Sequence, residues 1–485
     1  MPALKPALQT RSAPDTRIAV ERFLDSARKP VVIEAGEDPI AISGENFVLS
    51  DGIRNTTLEC WNTRRNLTRR IAGVRTEKRG LLELETEQLW GRRGTLLLVD
   101  LAHPSQGGAQ RRSGRLKYRE QFRISLRRQF PDWKLVEVST EQDLEHSLSP
   151  AYPRALLRKG TQAVAAIGAA EDSLDPDGAL SFGLIWLDYL RRREIRTNVA
   201  GLALFLPVGS EMTTCHRVRY LDPRGAKYMV FAHGPDGAEE PVDPVAYTNL
   251  ATRLEPFRET PDFKDSEVEA WIARLSAIAG VEQVGRPDGN LSLRVRGLEF
   301  AHTSNRELLF GLDRKHVAGS SSMAEVEELA RGVARLRNVR SEDRQNPLYT
   351  RYPERWLESQ VRAGLRTVDA TLRAEPVYEQ APQFAAGNRG ILDLLAVDDE
   401  GRLTVLEIKA SPDIHLPLQA LDYWMRVKWH LERGEFPARG YFPGLALRSE
   451  PPRLLLVAPA LEFHPSNETI VRYFSSDIQM ENSGL

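Results

Sequence analysis

Two apolar segments joined by a short polar turn carry charged residues that buried strands rarely contain. The stretch is GILDLLAVDDEGRLTVLEIKAS, residues 390 to 411, and its charged members include Asp393, Glu407 and Lys409. The apolar pattern predicts two strands, and the turn at residues 398 to 401 is short enough for a β-hairpin. Antiparallel pairing would bring Asp393 beside Glu407, so two carboxylates and one ammonium would converge.

Side chains alternate across a strand, so Glu407 and Lys409 share one face while Leu406 and Ile408 face the core. Paired carboxylates are the ligands that Mg²⁺ or Mn²⁺ accepts, with water and phosphate completing its coordination. A neighbouring ammonium would face the phosphate or the attacking water, as metal-assisted phosphodiester hydrolysis requires. The alternative is an ordinary salt bridge near a strand end.

Helices flank this hairpin and carry further polar residues. Before it, PERWLESQVRAGL predicts a helix on which Glu358 can present a carboxylate, although Glu354 is a second acid that could instead cap the helix. After it, LPLQALDYWMRVKWHLER predicts a helix on which Gln419 and Tyr423 share a face because they are four residues apart. The predicted order is helix, three strands, helix, strand, helix.

Together, Glu358, Asp393, Glu407-x-Lys409 and Gln419-x-x-x-Tyr423 resemble the signature of the PD-(D/E)XK nuclease superfamily, in its RecB-like branch. The resemblance covers roughly residues 350 to 480 and implies a restriction-endonuclease-like αβββαβα core. Leu392 stands in place of the proline that names the motif, and the iron–sulfur cysteines of some relatives are missing.

The resemblance also implies roles for these residues. Asp393 and Glu407 would bind the divalent metal with Glu358 contributing, and Lys409 would assist the water. Gln419 and Tyr423 would contact the substrate or position the catalytic groups. The expected function is a Mg²⁺- or Mn²⁺-dependent nuclease that hydrolyses DNA. The alternatives are a non-catalytic nucleic-acid-binding or assembly protein with a decayed nuclease fold, and an RNA-processing nuclease.

The length of 485 residues exceeds what one hydrophobic core usually supports, so we expect a multidomain α/β protein. Short apolar runs predict a β-rich domain over residues 1–105, and a helix–strand alternation predicts an α/β domain over residues 106–260. The latter includes a helix at EQDLEHSL. Residues 261–345 are predicted as a small α/β unit and helical linker, and residues 346–485 as the nuclease domain.

The sequence of the predicted α/β domain at residues 106–260 resembles that of the predicted nuclease domain at residues 346–485. LSFGLIWLDYLRRRE matches LPLQALDYWMRVKWH through a shared Leu-Asp-Tyr, and TQAVAAIGAA occupies the place of LTVLEIKAS. This suggests a degenerate nuclease-like repeat in which Ala165-Ala166-Ile167 replaces Glu-x-Lys, so it would bind or scaffold rather than cut. The alternative is that any α/β domain forms similar helix–strand pairs.

Two basic stretches interleaved with aromatic residues predict phosphate binding, since arginine and lysine ridges neutralise phosphates without regard to base. The alternative is a solvated face whose charges pair with nearby acids. The candidate nucleic-acid-binding residues are Arg64, Arg65, Arg69, Arg70, Arg115, Arg119, Arg123 and Arg127.

Composition excludes several classes. Cys60 and Cys215 are the only cysteines, which rules out a disulfide framework and a cysteine-ligated iron–sulfur cluster. No signal-like or membrane-length apolar run occurs, so we expect a cytoplasmic protein with no membrane partner. No Gly-rich loop ending in Lys-Ser/Thr is present, so any helicase would be a separate partner. The expected partner is DNA, single- or double-stranded, with a homodimer as a further option.

Overall fold

The computed structural model describes residues 13–34, 40–42, 46–51, 56–61, 66–78, 80–87, 93–100, 107–143, 145–171, 173, 175–234, 238–250, 252–258, 266–286, 288–344, 346–379, 393–460 and 462–484. Over these residues the chain is a multidomain, mixed α/β protein with four β-sheets. No helix in the described ranges has both the length and the apolarity needed to cross a membrane.

A seven-stranded antiparallel sheet forms the N-terminal region, with one helix, α1 (Ala13–Ser26), packed on it. Val20 and Phe23 of that helix belong to the same hydrophobic core as inward side chains such as Leu58 and Leu98. The sheet order is β2-β1-β7-β6-β5-β4-β3. The strands are β1 (Pro30–Ile33), β2 (Ile40–Ala41), β3 (Phe47–Asp51), β4 (Thr56–Trp61), β5 (Asn66–Lys78), β6 (Leu81–Glu87) and β7 (Arg93–Asp100).

The next part, called the middle unit, is a six-stranded sheet between helices. Its order is β13-β12-β11-β10-β9-β8, in which β8, β9 and β10 are antiparallel neighbours and β10, β11 and β12 run parallel. Its elements are α2 (Gly107–Gln129), β8 (Lys134–Ser139), β9 (Arg154–Lys159), β10 (Gln162–Gly168), α3 (Gly178–Arg193), β11 (Asn198–Pro207), α4 (Glu211–Val218), β12 (Lys227–His233) and β13 (Glu239–Val242).

The middle unit corrects two sequence predictions. The segment EQDLEHSL forms no helix in its described residues, because the Asp143 carboxylate accepts a bond from His146 N, Ser147 has a left-handed φ of 57°, and Asp143 and Leu148 form an isolated bridge. Strand β9 was missed, since its arginine ends hide the apolar run between them.

A small antiparallel sheet follows, in the order β14-β15-β16-β17-β18, and two helices pack on it. The predicted helical linker is part of this packing, because Val326, Ala330 and Val333 of α6 belong to the same core as the strands. The elements are α5 (Glu267–Ser276), β14 (Val281–Gly285), β15 (Leu291–Val295), β16 (Leu298–Ser304), β17 (Glu307–Phe310), β18 (His316–Val317) and α6 (Met323–Leu336).

The last part, called the C-terminal unit, has a five-stranded sheet in the order β19-β20-β21-β22-β23. The pairs β19–β20 and β20–β21 are antiparallel, while β21–β22 and β22–β23 are parallel. Leu392 lies outside the described residues. The elements are α7 (Pro347–Thr350), α8 (Pro353–Ala363), α9 (Leu365–Val368), β19 (Tyr378–Glu379), β20 (Leu394–Val397), β21 (Leu403–Ile408), α10 (Leu416–Glu432), α11 (Glu435–Ala438), β22 (Arg453–Ala458), α12 (Ser466–Val471) and β23 (Met480–Gly484).

The middle and C-terminal units share one topology. Strands β8 to β12 have the order and directions of β19 to β23, and the helices α2, α3 and α4 take the places of α8, α10 and α12. The two units also share one continuous hydrophobic core. The internal similarity suggested by the sequence therefore extends to the arrangement of every strand in these five-stranded sets.

The structure places the matching residues two positions away from the alignment that the sequence suggested. Lys409 N donates to Val457 O across β21 and β22, and Ala169 N donates to Phe205 O across β10 and β11 in the same way. Ala169 therefore stands in the place of Lys409, and Ile167, not Ala165, stands in the place of Glu407.

A buried arginine links the small sheet to helix α8. Arg337, at the end of α6, is fully buried and donates to the carbonyl oxygens of Arg296, Leu348, Arg351 and Tyr352. Its guanidinium also lies 4.9 Å from the ring centre of Trp356 on α8. Because three of these carbonyls precede α8, Arg337 fixes where that helix begins.

Replacing Arg337 by Ala would remove the side-chain donor that these four carbonyls share, and Tyr352 O would keep only its bond from Trp356 N. We expect a loss of about 3 kcal/mol in the free energy of unfolding, measured by denaturant titration with tryptophan fluorescence. Arg331→Ala is the matched control on α6, since Arg331 pairs with Glu327 at the surface and its loss should leave the free energy of unfolding close to the wild-type value. Equal effects of the two substitutions would contradict a structural role for Arg337.

Candidate metal centre at the edge of the C-terminal sheet

The hairpin of β20 and β21 brings Asp393 and Glu407 together. Leu394 pairs with Leu406 in the antiparallel ladder, so Asp393, one residue before β20, lies opposite Glu407. The Asp393 carboxylate accepts a hydrogen bond from Ile408 N at 2.6 Å. The register that sequence alternation predicted is thus present in the structure.

Lys409 follows β21 directly and lies beside both acids. Its Nζ atom is 3.6 Å from Glu407 Oε1. This group stands at the carboxyl end of β21, which runs parallel to β22. In open α/β sheets the carboxyl ends of strands are the usual place for ligands.

Helix α8 presents two more carboxylates to the same place. Glu354 and Glu358 are four residues apart and share one face of the helix. Glu354 Oε1 is 3.9 Å from Lys409 Nζ, and the charges of Glu379 and Asp393 act on the buried Glu358. The sequence favoured Glu358 for this role, and the structure places Glu354 at the group as well.

Burial and like charges shape the electrostatics of this group. Burial raises the pKa of Asp393 to about 7, and it also raises the pKa values of Glu354, Glu358 and Glu407. The carboxylate of Asp393 raises the pKa of Glu407 further. The Lys409 ammonium acts against this effect at Asp393, Glu407 and Glu354, while Arg294 and Arg355 do so at Glu358. A divalent cation between Asp393 and Glu407 would further favour their charged forms.

Two carboxylate oxygens of the group have no hydrogen-bond partner within the described part of the chain. They are Glu407 Oε2 and Glu358 Oε1, both buried. Buried oxygens of this kind normally have a partner, and carboxylate oxygens are the ligands of hard cations.

No cluster of three or more His, Cys, Asp or Glu side chains arranged to hold a metal is found over the described ranges. Mg²⁺ needs only one or two carboxylates, because water and substrate phosphate complete its coordination. The donor set of Asp393 and Glu407 fits such an ion.

Helix α10 carries the remaining signature residues. Tyr423 is buried, and its pKa is raised by burial and by the charges of Glu407 and Asp393, which face it. Gln419 is half-buried one turn earlier. Tyr423 therefore borders the carboxylate group, and Gln419 precedes it on the same helix face.

The predicted basic residues are distributed unevenly. Arg69, on β5, makes a two-pronged contact with Glu34, with Nε–Oε1 at 2.6 Å and Nη2–Oε2 at 2.8 Å. Burial raises the pKa of Glu354, and the charge of Arg69 acts to lower it. This part of the N-terminal sheet therefore lies near the carboxylate group. Arg70 lies next to it on β5, while Arg64 and Arg65 lie outside the described residues.

On α2, Arg119 and Arg123 both pair with the half-exposed Glu120, at 3.8 Å and 3.0 Å. Arg127 is exposed one turn further along. Arg115 lies on the same helix, in the stretch where the backbone alone is described. Among the α2 side chains that the structure describes, Arg119, Arg123 and Arg127 make no contact with the carboxylate group, so these three form a separate basic ridge.

Sequence reasoning missed several residues around the group. The charge of Asp413, in the loop after β21, raises the pKa values of both Glu407 and Lys409. Its position just after a strand end is the signal that could have indicated this. Asp422, beside Tyr423, forms a buried ion pair with Arg217 of the middle unit. Nothing local in the sequence indicates that contact.

Comparison with protein-family models finds no matching family, and comparison with curated proteins finds no matching relative.

If the group holds a divalent ion, millimolar Mg²⁺ or Mn²⁺ will raise the midpoint of thermal unfolding by about 2 °C or more. Glu407→Gln will lose this gain. In chelator at pH 8 the same variant will be more stable than wild type, because a carboxyl whose pKa is raised on folding destabilises the protein above its usual pKa.

The matched control is Glu432→Gln on α10, whose carboxylate pairs with Lys428 at the surface. This variant should respond to the ions as wild type does. A wild-type midpoint that is insensitive to both ions would contradict the candidate centre.

Proposed function

We propose that the C-terminal unit is a divalent-metal-dependent nuclease of the PD-(D/E)XK type that hydrolyses DNA phosphodiester bonds. The observation that carries the proposal is the position of Asp393 opposite Glu407, with Lys409 Nζ 3.6 Å from Glu407 Oε1. The order α8, β19 to β21, α10, β22, α12 supports a restriction-endonuclease-like core. Within the described part of the chain, two buried carboxylate oxygens of this group lack a hydrogen-bond partner, which a role as metal ligands would explain.

Asp393 and Glu407 would hold Mg²⁺ or Mn²⁺, with Glu358 in support. When bound, such an ion supplies Lewis acidity and lowers the pKa of a water molecule. The unpartnered Oε2 of Glu407 and Oε1 of Glu358 are the oxygens free to take part.

Lys409 would act as a cation and not as a base. Burial acts to lower its pKa, but the carboxylates of Glu354 and Glu407 raise it well above the usual value. The ammonium therefore stays protonated at neutral pH, where it can orient the attacking water and stabilise the negative charge that develops on the phosphate. Tyr423 and Gln419 would line the approach on α10.

Basic residues outside the C-terminal unit would bind the DNA backbone. The pairs of Arg119 and Arg123 with Glu120 are half-exposed, and such pairs are weak enough for a phosphate to compete. Arg127 extends the same ridge. Arg69 would contribute only if its contact with Glu34 opened.

Lys409→Ala will reduce the rate of DNA cutting in Mg²⁺ or Mn²⁺ by about 100-fold or more, since it removes charge stabilisation in the transition state. Initial rates on circular and linear DNA, single- and double-stranded, provide the measurement. RNA is tested in parallel, because the proposed mechanism does not discriminate against the 2′-hydroxyl.

The matched control is Lys428→Ala, which removes an ammonium from the surface of α10. It should cut at the wild-type rate. If wild type degrades none of these substrates yet binds DNA as tightly as Glu407→Gln, the protein is a non-catalytic nucleic-acid-binding protein and the proposal is wrong.

Replacing Arg123 and Arg127 together by Ala will weaken DNA binding. It will also make the decrease of log K with log salt concentration shallower by about 2, because each arginine would contact one phosphate. Fluorescence anisotropy over a salt series measures the slope. Arg331→Ala with Arg335→Ala, two exposed arginines four residues apart on α6, is the control. An unchanged slope in the α2 variant would remove the ridge from the binding surface.

A further inference from the structure

The middle and C-terminal units contact each other through equivalent positions. Asp222 N donates to Tyr473 O, and Ser475 N donates to Tyr220 O, both at 2.8 Å. Tyr220 and Tyr473 each stand two residues after the matching helices α4 and α12. Such reciprocal bonding is the pattern of a two-fold interface between identical subunits.

The packing of helices follows the same symmetry. Helix α12 of the C-terminal unit packs against α3, and the matching helix α4 of the middle unit packs against α10. Leu221 and Phe474, which also match, form an antiparallel bridge at the centre of the contact. The two units thus associate as two subunits of a dimer would, within one chain.

The middle unit lacks the charged group of its counterpart. Ile167 and Ala169 stand in the places of Glu407 and Lys409. Arg154 is the ladder partner of Ile167 and stands in the place of Asp393. An arginine and two apolar residues cannot bind a divalent cation, so any retained role of this unit lies elsewhere.

One contact breaks the symmetry. Arg217 of α4 reaches across to Asp422 of α10, with Nε–Oδ1 and Nη2–Oδ2 both at 2.9 Å, and its Nη1 donates to Asp177 O. Both side chains are almost fully buried. The matching acid of the middle unit, Asp188, instead pairs with Arg192 on its own helix, whose side chain is exposed.

The asymmetric contact is made to the helix that bears Gln419 and Tyr423. Asp422 directly precedes Tyr423 in the sequence. A second contact holds the start of the same helix, because Ser181 Oγ of α3 lies 3.0 Å from Nδ1 of His415. Helix α10 is therefore held by the middle unit at both of these points.

Stability alone is a weak reason for the Arg217–Asp422 pair. A buried ion pair replaced by apolar residues of similar size often leaves a protein as stable as before, because the desolvation of the charges offsets their attraction. What the two-pronged geometry provides is a defined position of one helix relative to the other.

We propose that the middle unit acts as a built-in partner subunit, in which Arg217 is a positioning residue that sets α10, and with it Tyr423 and Gln419, against the carboxylate group. This role rests on the proposed nuclease function. It assigns a task to a unit that has the topology of the C-terminal one without its charges.

The test replaces the pair by Arg217→Met with Asp422→Leu, which leaves no buried charge of the pair behind. Arg217→Lys is the second variant, since lysine retains the positive charge but cannot make the two-pronged contact with Asp422. Asp188→Asn is the matched control in the middle unit. Measurements on the full chain are kcat and KM for DNA cutting in Mn²⁺, the thermal midpoint, and amide hydrogen exchange of residues 416–432.

The expected result for the double variant is a protein that still unfolds cooperatively, with a lower midpoint because Asp422 also faces the buried Arg426, a kcat at least tenfold lower, a KM within threefold, and faster exchange in α10. Arg217→Lys should fall between it and wild type, while Asp188→Asn should match wild type. A double variant with wild-type kcat and unchanged exchange would overturn the positioning role.

Failure of the nuclease proposal is distinguishable from failure of this one. If wild type cuts no substrate, the proposed function is wrong, and hydrogen exchange alone then decides whether Arg217 positions α10. Faster exchange confined to α10 in the folded double variant would support the contact as a positioning device, and unchanged exchange would refute it.

Discussion

The register of the β20–β21 hairpin is the constraint on which the candidate centre depends. It sets Asp393 opposite Glu407 at the carboxyl end of β21, where burial makes the charged form of each acid unfavourable. The ammonium of Lys409, directly after β21, lies beside Glu407 and offsets part of this negative charge. The carboxylate of Glu354 on α8 lies on the other side of Lys409. Arg337 fixes the start of α8 and Arg217 contacts α10, so both helices that face the group are anchored from outside the C-terminal unit.

The middle and C-terminal units share a topology but differ in the residues at the position of the carboxylate group. The middle unit retains the sheet order, the helices and the reciprocal contact, while Arg154, Ile167 and Ala169 occupy the positions of the charged group. An apolar strand end packs well without ligands, so loss of the group leaves the fold intact. A unit of this topology can form the interface without the charged group, and the Arg217–Asp422 pair has no counterpart at Asp188 of the middle unit.

Local patterns in the sequence predicted the hairpin, helices α8 and α10, and the convergence of Asp393, Glu407 and Lys409, because alternation and turn residues act over a few positions. Local patterns failed to predict features that depend on contacts between residues far apart in the sequence. Strand β9 is a buried strand whose Arg158 bonds with Glu194, which its own sequence does not show. Arg217 and Asp422 lie 205 residues apart, and the contact of Arg69 with Glu34 joins residues 35 positions apart.

The most direct test of the central claim is an anomalous difference map from crystals of the protein soaked in Mn²⁺. We expect a peak about 2.0–2.3 Å from an oxygen of Asp393 and from an oxygen of Glu407, absent in Glu407→Gln crystals. No peak between the two residues at a saturating concentration of Mn²⁺, in a protein that still cuts DNA, would contradict the account.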